Sequence, residues 1–134
     1  MVYIFMNKIL VEVSVGELLD KISILEIKRS KIKNKKKLKF INDEYKILKF
    51  EFKKNIKNSQ KLKKLFKSLK IINVKLWLIE DNKRKCEKTN SFGKEFIKLS
   101  RDVHFLNDKR AKIKLKINNY TGSRIKEIKE YTSY

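Results

Sequence analysis

The sequence predicts a mainly α-helical protein, an elongated antiparallel bundle of about four helices with one short N-terminal β-strand. The 134-residue chain contains no proline and only three glycines. Its apolar residues recur at spacings of three and four, which is the period of one helix face. The segments between these stretches are short, and short connections favour antiparallel neighbours. A chain of this length corresponds to one domain with a modest core, so residues 1–134 are taken as a single helical domain.

The first predicted elements are the strand and the start of a helix. Residues 9–13 alternate between β-branched and other side chains, which is typical of a strand that needs a pairing partner. Ser14 and Glu17 then form the S-x-x-E capping box. In such a box Ser14 accepts a hydrogen bond from the Glu17 amide, and Glu17 reaches back to the Ser14 amide. A helix is therefore predicted to begin at Val15.

The apolar periodicity predicts four helices, over residues 15–33, 36–57, 59–88 and 92–120. Ser91 is expected to cap the last helix and Gly122 to end it, and the tail after Gly122 is expected to form a short helix or strand. The first helix also carries Ile24 and Ile27 opposite its main apolar stripe, which is typical of a helix packed on both sides. A helix of about 30 residues spans roughly 45 Å, which favours an elongated homo-oligomer.

Composition limits the classes of function. No apolar run approaches the roughly 20 residues of a membrane span, and the N-terminus lacks a signal-peptide cleavage site. The single cysteine, Cys86, excludes an internal disulfide. We therefore expect a soluble cytoplasmic protein with no membrane partner.

The net charge of +21 comes mostly from lysine. We interpret this excess of lysine as a compositional bias of exposed surfaces and not as a binding motif. Zinc-finger spacing, a basic zipper region and interleaved aromatic residues are missing. Nucleic acid is therefore a less favoured partner.

Arginine is scarce in this chain, and three of its five arginines fall on apolar stripes. Arg29, Arg84 and Arg110 occupy such positions, and Glu80 and Glu87 continue the stripe of the third helix. One interpretation is a structural layer of ion pairs that fixes register, with Arg29 donating to Glu80 or Glu87. The other is a cavity in which the arginines bind a small anion.

Signals for catalysis are weak. Arg101, His104 and Asp108 share one side of the last helix, where a His–Asp pair could act as an oriented base. A surface contact is the simpler interpretation of these three residues. One histidine and one cysteine on different helices give no metal-ligand spacing, so neither a metal nor another cofactor is expected.

Three segments carry a family resemblance: VSVGELLDKISILEIK, LWLIED with Arg84 and Glu87, and FIKLSRDVHFLNDKRAKIKLKIN followed by GSRIKE. Together they resemble a family of short bacterial helical proteins of unknown function over nearly the whole chain. The resemblance implies a helical protein with no established activity, encoded among surface-polysaccharide and glycosyltransferase genes. It also implies that residues 1–6 are an upstream or disordered extension. His104 departs from the family, which has tyrosine there.

The leading functional hypothesis is a non-enzymatic oligomeric helical assembly or interaction protein. The second is a protein that binds a small anion or sugar phosphate through the arginine layer, including an enzyme of surface-glycan metabolism. The third is a nucleic-acid-binding helical protein. An open pocket lined by Arg29, Arg84 and Arg110 would favour the second hypothesis.

Overall fold

The chain forms a bundle of four helices, which confirms the predicted fold class. A computed structural model describes residues 7–134, and the expectation for residues 1–6 lies outside this part of the chain. The helices are α1 (Val15–Lys31), α2 (Lys35–Asn55), α3 (Gln60–Lys88) and α4 (Lys94–Thr121). None of the helices in this described part is long and apolar enough to cross a lipid bilayer.

The predicted N-terminal strand was wrong for the described part of the chain. Residues 9–13 form no strand there, and Ile9, Leu10 and Val11 are 76–90% exposed. Alternation alone does not make a strand, because a ladder needs a second extended segment. Residues 123–134 could have supplied one, but they also form neither a strand nor a helix.

The helix ends follow local capping chemistry. Ser14 Oγ accepts from the Glu17 amide at 3.1 Å, which confirms the predicted start of α1. Gly122 takes a left-handed conformation with φ of 67° and ends α4 as predicted. The prediction for Ser91 was wrong, because its hydroxyl bonds to Thr89 and α4 begins after Gly93 without a side-chain cap.

α1 is the central helix and packs against α2, α3 and α4, while α3 and α4 form a long antiparallel hairpin. The inner face of α2 contributes to the core through Phe52, with Tyr45 and Leu48 packed against it. The buried apolar core lies where α1 meets the other helices; its members are Leu18, Leu19, Ile22, Phe52, Leu62, Leu69 and Ile117. α1 is roughly 25 Å long and α3 roughly 43 Å, so the hairpin extends beyond α1.

Candidate functional site

A buried carboxylate, Asp20, organises the polar centre of the bundle. Its side chain is about 2% exposed and accepts from Arg110 Nε at 2.9 Å and from Asn73 Nδ2 at 2.9 Å. Arg110 also donates to the second carboxylate oxygen through Nη2, so the pair is bidentate. Asn73 Nδ2 lies 2.7 Å from Ser23 Oγ, and Ser23 in turn donates to the Asp20 carbonyl oxygen. This cluster ties together α1, α3 and α4.

The protonation behaviour of Asp20 follows from these partners. Burial raises the pKa of the Asp20 carboxyl, but hydrogen bonds from Arg110 and Asn73 and the charges of Arg110 and Lys114 outweigh it. The pKa of Asp20 therefore lies below its ordinary value. The hydrogen bond to Asp20 raises the pKa of Arg110, against the effect of burial. Both groups are accordingly charged at neutral pH.

A second cation, Lys114, extends the cluster towards the C-terminal segment. Its ammonium lies 2.7 Å from Glu17 Oε2, 3.2 Å from Glu127 Oε2 and 3.8 Å from Asp20 Oδ2. Burial lowers the pKa of Lys114, but the hydrogen bond to Glu17 and the neighbouring carboxylates raise it above its ordinary value. The predicted back-bond from Glu17 to the Ser14 amide is replaced by this contact between α1 and α4.

The first turn of α1 is embedded against the C-terminal end of α4. The Gly16 amide donates to Asn118 Oδ1 at 2.7 Å, and the Val15 amide donates to Ser123 Oγ at 3.1 Å. A Cβ at Gly16 would lie 2.7 Å from the Lys114 carbonyl oxygen. Glycine is therefore required by the close approach of the two helices.

The cluster is complete without a ligand. Among residues 7–134, every fully buried side-chain nitrogen and oxygen has a hydrogen-bond partner. A polar cavity built for an anion would instead present donors that no protein group uses. The charged cluster around Asp20 thus supports the structural interpretation of Arg110, with Asp20 as the carboxylate in place of the predicted glutamates.

The expectation for Arg29 was wrong. Arg29 is exposed near the end of α1, and its guanidinium carbon lies 4.3 Å from the centre of the Tyr45 ring. Neither Glu80 nor Glu87 pairs with it in the described structure. Tyr45 donates to Glu26 Oε2 at 3.1 Å, and Lys70 Nζ lies 2.8 Å from Glu26 Oε1. Arg29 therefore belongs to a small contact between α1, α2 and α3.

The predicted layer of three arginines is divided between two grooves. Arg84 and Arg110 line an open groove of about 450 Å³ with Trp77 and Glu80. Arg29 lines another groove, near Tyr45 of α2. Arg84 and Glu80 are exposed, and the exposed Glu87 is not part of either lining. Arg110 pairs with Asp20, a carboxylate that was not predicted from the sequence, and the structure does not bring the five predicted residues together.

Two residues of the second predicted polar group, His104 and Asp108, form a surface contact with the C-terminal segment, and the third member of the group is Arg101. The His104 ring lies 5.3 Å from the Tyr134 ring, and the Tyr134 hydroxyl donates to Asp108. That hydrogen bond raises the pKa of Tyr134. Arg101 lies over Phe105 at 5.8 Å. Within the described residues His104 and Asp108 form no hydrogen bond with each other, so an oriented base is not assembled.

Sequence reasoning missed Asp20, Asn73 and Lys114. A usable signal existed for Asp20, because it projects onto the same side of α1 as Ile24 and Ile27, the face predicted to be packed. A carboxylate on that face requires a cationic partner. In contrast, Lys114 gave no signal among so many other lysines.

The far part of the α3–α4 hairpin lacks a complete core. We define the distal hairpin as residues 75–109, and Cys86 is the one residue buried in this range. An open groove of about 650 Å³ runs along one flank of the hairpin and is lined by Leu78, Ile79, Phe105 and Leu106 with three charged residues. Leu78 is 47% exposed and Ile97 is 56% exposed.

The fold and its satisfied charged cluster define an all-helical protein with a structural polar core. Residues 9–134 match the model of a family described as a family of unknown function (DUF6165), and the chain belongs to this family. The resemblance to a family of unknown function over nearly the whole chain is thereby confirmed. A search of the curated proteins and a search of the solved structures each found no match.

Proposed function

We propose that this protein is a non-enzymatic assembly protein whose copies associate through the distal hairpin. One observation carries the proposal: only Cys86 is buried over residues 75–109, although apolar side chains line the seam between the helices. In a hairpin of two helices each helix buries one face against the other, and apolar side chains beside that face remain exposed. Covering them with another layer stabilises the protein. A second copy of the chain supplies such a layer.

The distribution of charge supports a second copy as the occupant. The distal hairpin carries nine lysines and arginines and six acidic residues, a net charge of +3. Residues 28–70 carry eighteen basic and three acidic residues, a net charge of +15. Two strongly basic chains repel each other least where their charges nearly balance. A polyanion would instead be drawn to residues 28–70.

The test compares the solution mass of three proteins by multi-angle light scattering. The wild type is expected to have at least twice the 16.1 kDa mass of one chain at micromolar concentration. Leu78→Lys places a charge in the groove and is expected to weaken association at least tenfold. Leu115→Lys, at a half-exposed apolar position of α4 outside the distal hairpin, is the matched control and should associate like the wild type.

Two results would reject the proposal. The first is a wild type that remains monomeric at every accessible concentration. The second is a Leu78→Lys variant that associates as strongly as the Leu115→Lys control. Circular dichroism of each variant verifies that the helices are retained, so that loss of association is not loss of folding.

A second candidate function, binding of a small anion or sugar phosphate, has one supporting observation. Arg84 and Arg110 line the same groove, and Trp77 provides an apolar wall. The bidentate pair with Asp20 weighs against it, because that pair already occupies the Arg110 fork. Titration with inorganic phosphate followed by Trp77 fluorescence tests this function. Saturable binding that Arg84→Gln abolishes would support it.

A further inference from the structure

The outer face of α2 is an unpartnered seam with a seven-residue repeat. The inner face packs on the core through Tyr45, Leu48 and Phe52. Opposite to it, side chains recur at alternating spacings of four and three; they are Lys36, Phe40, Asp43, Ile47, Phe50 and Lys54. The apolar members Phe40, Ile47 and Phe50 are 76%, 62% and 62% exposed. This spacing is that of the a and d positions of a coiled coil.

The residues beside this seam have opposite charge on its two flanks. With Phe40 and Ile47 at a positions, Lys39, Lys46 and Lys53 occupy g positions. The e positions hold Lys37 in the first turn and then Glu44 and Glu51, so the two flanks have opposite charge over residues 39–53. In a parallel pair of helices each g residue faces the following e residue of the partner helix. An antiparallel pair would place g beside g and e beside e, which brings the lysines of the g flank together. The flanks therefore favour a parallel pair of identical helices.

We propose that α2 pairs in parallel with α2 of a second copy, with Lys39 facing the partner's Glu44 and Lys46 facing the partner's Glu51. The contact is isologous, since the same surface serves both copies. It shares with the proposed function the requirement that copies associate, but it uses a helix within the basic residues 28–70. The net charge there opposes association, so the Lys–Glu pairs across the α2 seam must offset this repulsion, and α2 pairing is expected to strengthen as salt screens it. Two separate self-contacts in one chain extend an assembly beyond a dimer.

Asp43 lies inside the seam, where it would face its own counterpart. A polar residue at a core position lowers stability while fixing register, and Asp43 is the one that lies between apolar seam residues, since Lys36 and Lys54 stand at the two ends of the seam. Lys39 and Lys46 of the same helix lie one turn away on either side and offset part of the repulsion. Replacing Asp43 by leucine is therefore expected to strengthen α2 pairing, which a purely solvated helix face would not do.

The test uses cysteine cross-linking in the Leu78→Lys background, so that the distal hairpin does not contribute. Phe40→Cys is expected to form a covalent dimer under mild oxidation, because position 40 faces itself in a parallel pair, whereas an antiparallel pair aligned over the length of α2 places it opposite Phe50. The controls are the background protein, whose thiol Cys86 is buried, and Lys67→Cys on the exposed surface of α3. Neither is expected to cross-link above the level of random collision.

Charge reversal tests the assignment of the flanks. Two double replacements are made in the Phe40→Cys protein, and each alone is expected to abolish the cross-link. One is Glu44→Lys with Glu51→Lys, and the other is Lys39→Glu with Lys46→Glu. Mixing the two variants should restore the cross-link, because each basic flank then faces an acidic one. Cross-linking of either variant alone at the unmodified level would overturn the proposal.

Other results identify other occupants of the seam. Absence of a Phe40→Cys dimer, or a cross-link formed only between Phe40→Cys and Phe50→Cys, would overturn parallel pairing. Sedimentation of the monomer with phosphatidylserine vesicles, lost in Phe40→Ser, would identify a lipid surface as the occupant instead. Cross-linking of Phe40→Cys, together with a solution mass that Leu78→Lys does not change, would support α2 pairing and reject association through the distal hairpin.

Discussion

The replacement Asp20→Leu is expected to destabilise the protein strongly, because Asp20 is the carboxylate shared by three helices. Its removal leaves Arg110 without its bidentate partner and takes one of the two acceptors from Asn73 Nδ2, which keeps Ser23 Oγ. Removing one partner of a buried ion pair costs about 3–5 kcal/mol. Arg110 is 27% exposed, and Lys114 keeps Glu17 and Glu127 as partners, so the expected loss lies near the lower end, about 3 kcal/mol.

The assay is urea unfolding followed by circular dichroism at one fixed protein concentration, since the midpoint of an associating protein depends on concentration. The matched control is Asp81→Leu, which removes an exposed carboxylate 3.3 Å from Lys85. Such surface pairs contribute about 0.3–0.5 kcal/mol. The double replacement of Asp20 and Arg110 by leucine should recover about 1–2 kcal/mol of the single loss.

Two results would refute this reasoning about Asp20. One is a free energy of unfolding for Asp20→Leu within about 0.5 kcal/mol of the control, a difference typical of surface substitutions. The other is a double variant whose loss equals the sum of the single losses. Either would mean that the ion pair does not join the helices as the geometry indicates.

Three further predictions concern α1. Gly16→Ala should cost about 1–3 kcal/mol in urea unfolding, because its Cβ would meet the α4 backbone; an unchanged midpoint would contradict that close approach. Ser14→Ala should cost about 1 kcal/mol through the lost cap, and no loss would place the helix start elsewhere. Because the pKa of Asp20 is lower in the folded than in the unfolded chain, stability should fall as the pH drops below about 4. Asp20→Asn should reduce this loss of stability with decreasing pH. An equally steep loss in Asp20→Asn would mean that other groups cause it.

Much of the fold followed from the sequence because its signals are local. Helix period, the Ser14 cap and the Gly122 stop each depend on residues within one or two turns. The strand at residues 9–13 was wrong because pairing depends on a distant segment. The cap at Ser91 was wrong because the helix begins two residues later, past Gly93.

The polar centre could be predicted only in part. A stripe position indicated that Arg110 needs a partner, but helix projection does not say which helix supplies it. The same projection failed for Arg29, because the last turn of α1 leaves the core and an apolar stripe no longer implies burial there. Lys114 became part of the cluster through the position of α4, which no local pattern encodes.

The most direct test of assembly through the distal hairpin is hydrogen exchange at low and high protein concentration. Peptides from residues 78–106 are expected to exchange more slowly at high concentration, since association covers the apolar groove of the distal hairpin. The exchange rate of peptides from α1 should be the same at both concentrations. Exchange in residues 78–106 that is independent of concentration, over a range in which the wild type is soluble, would contradict the account.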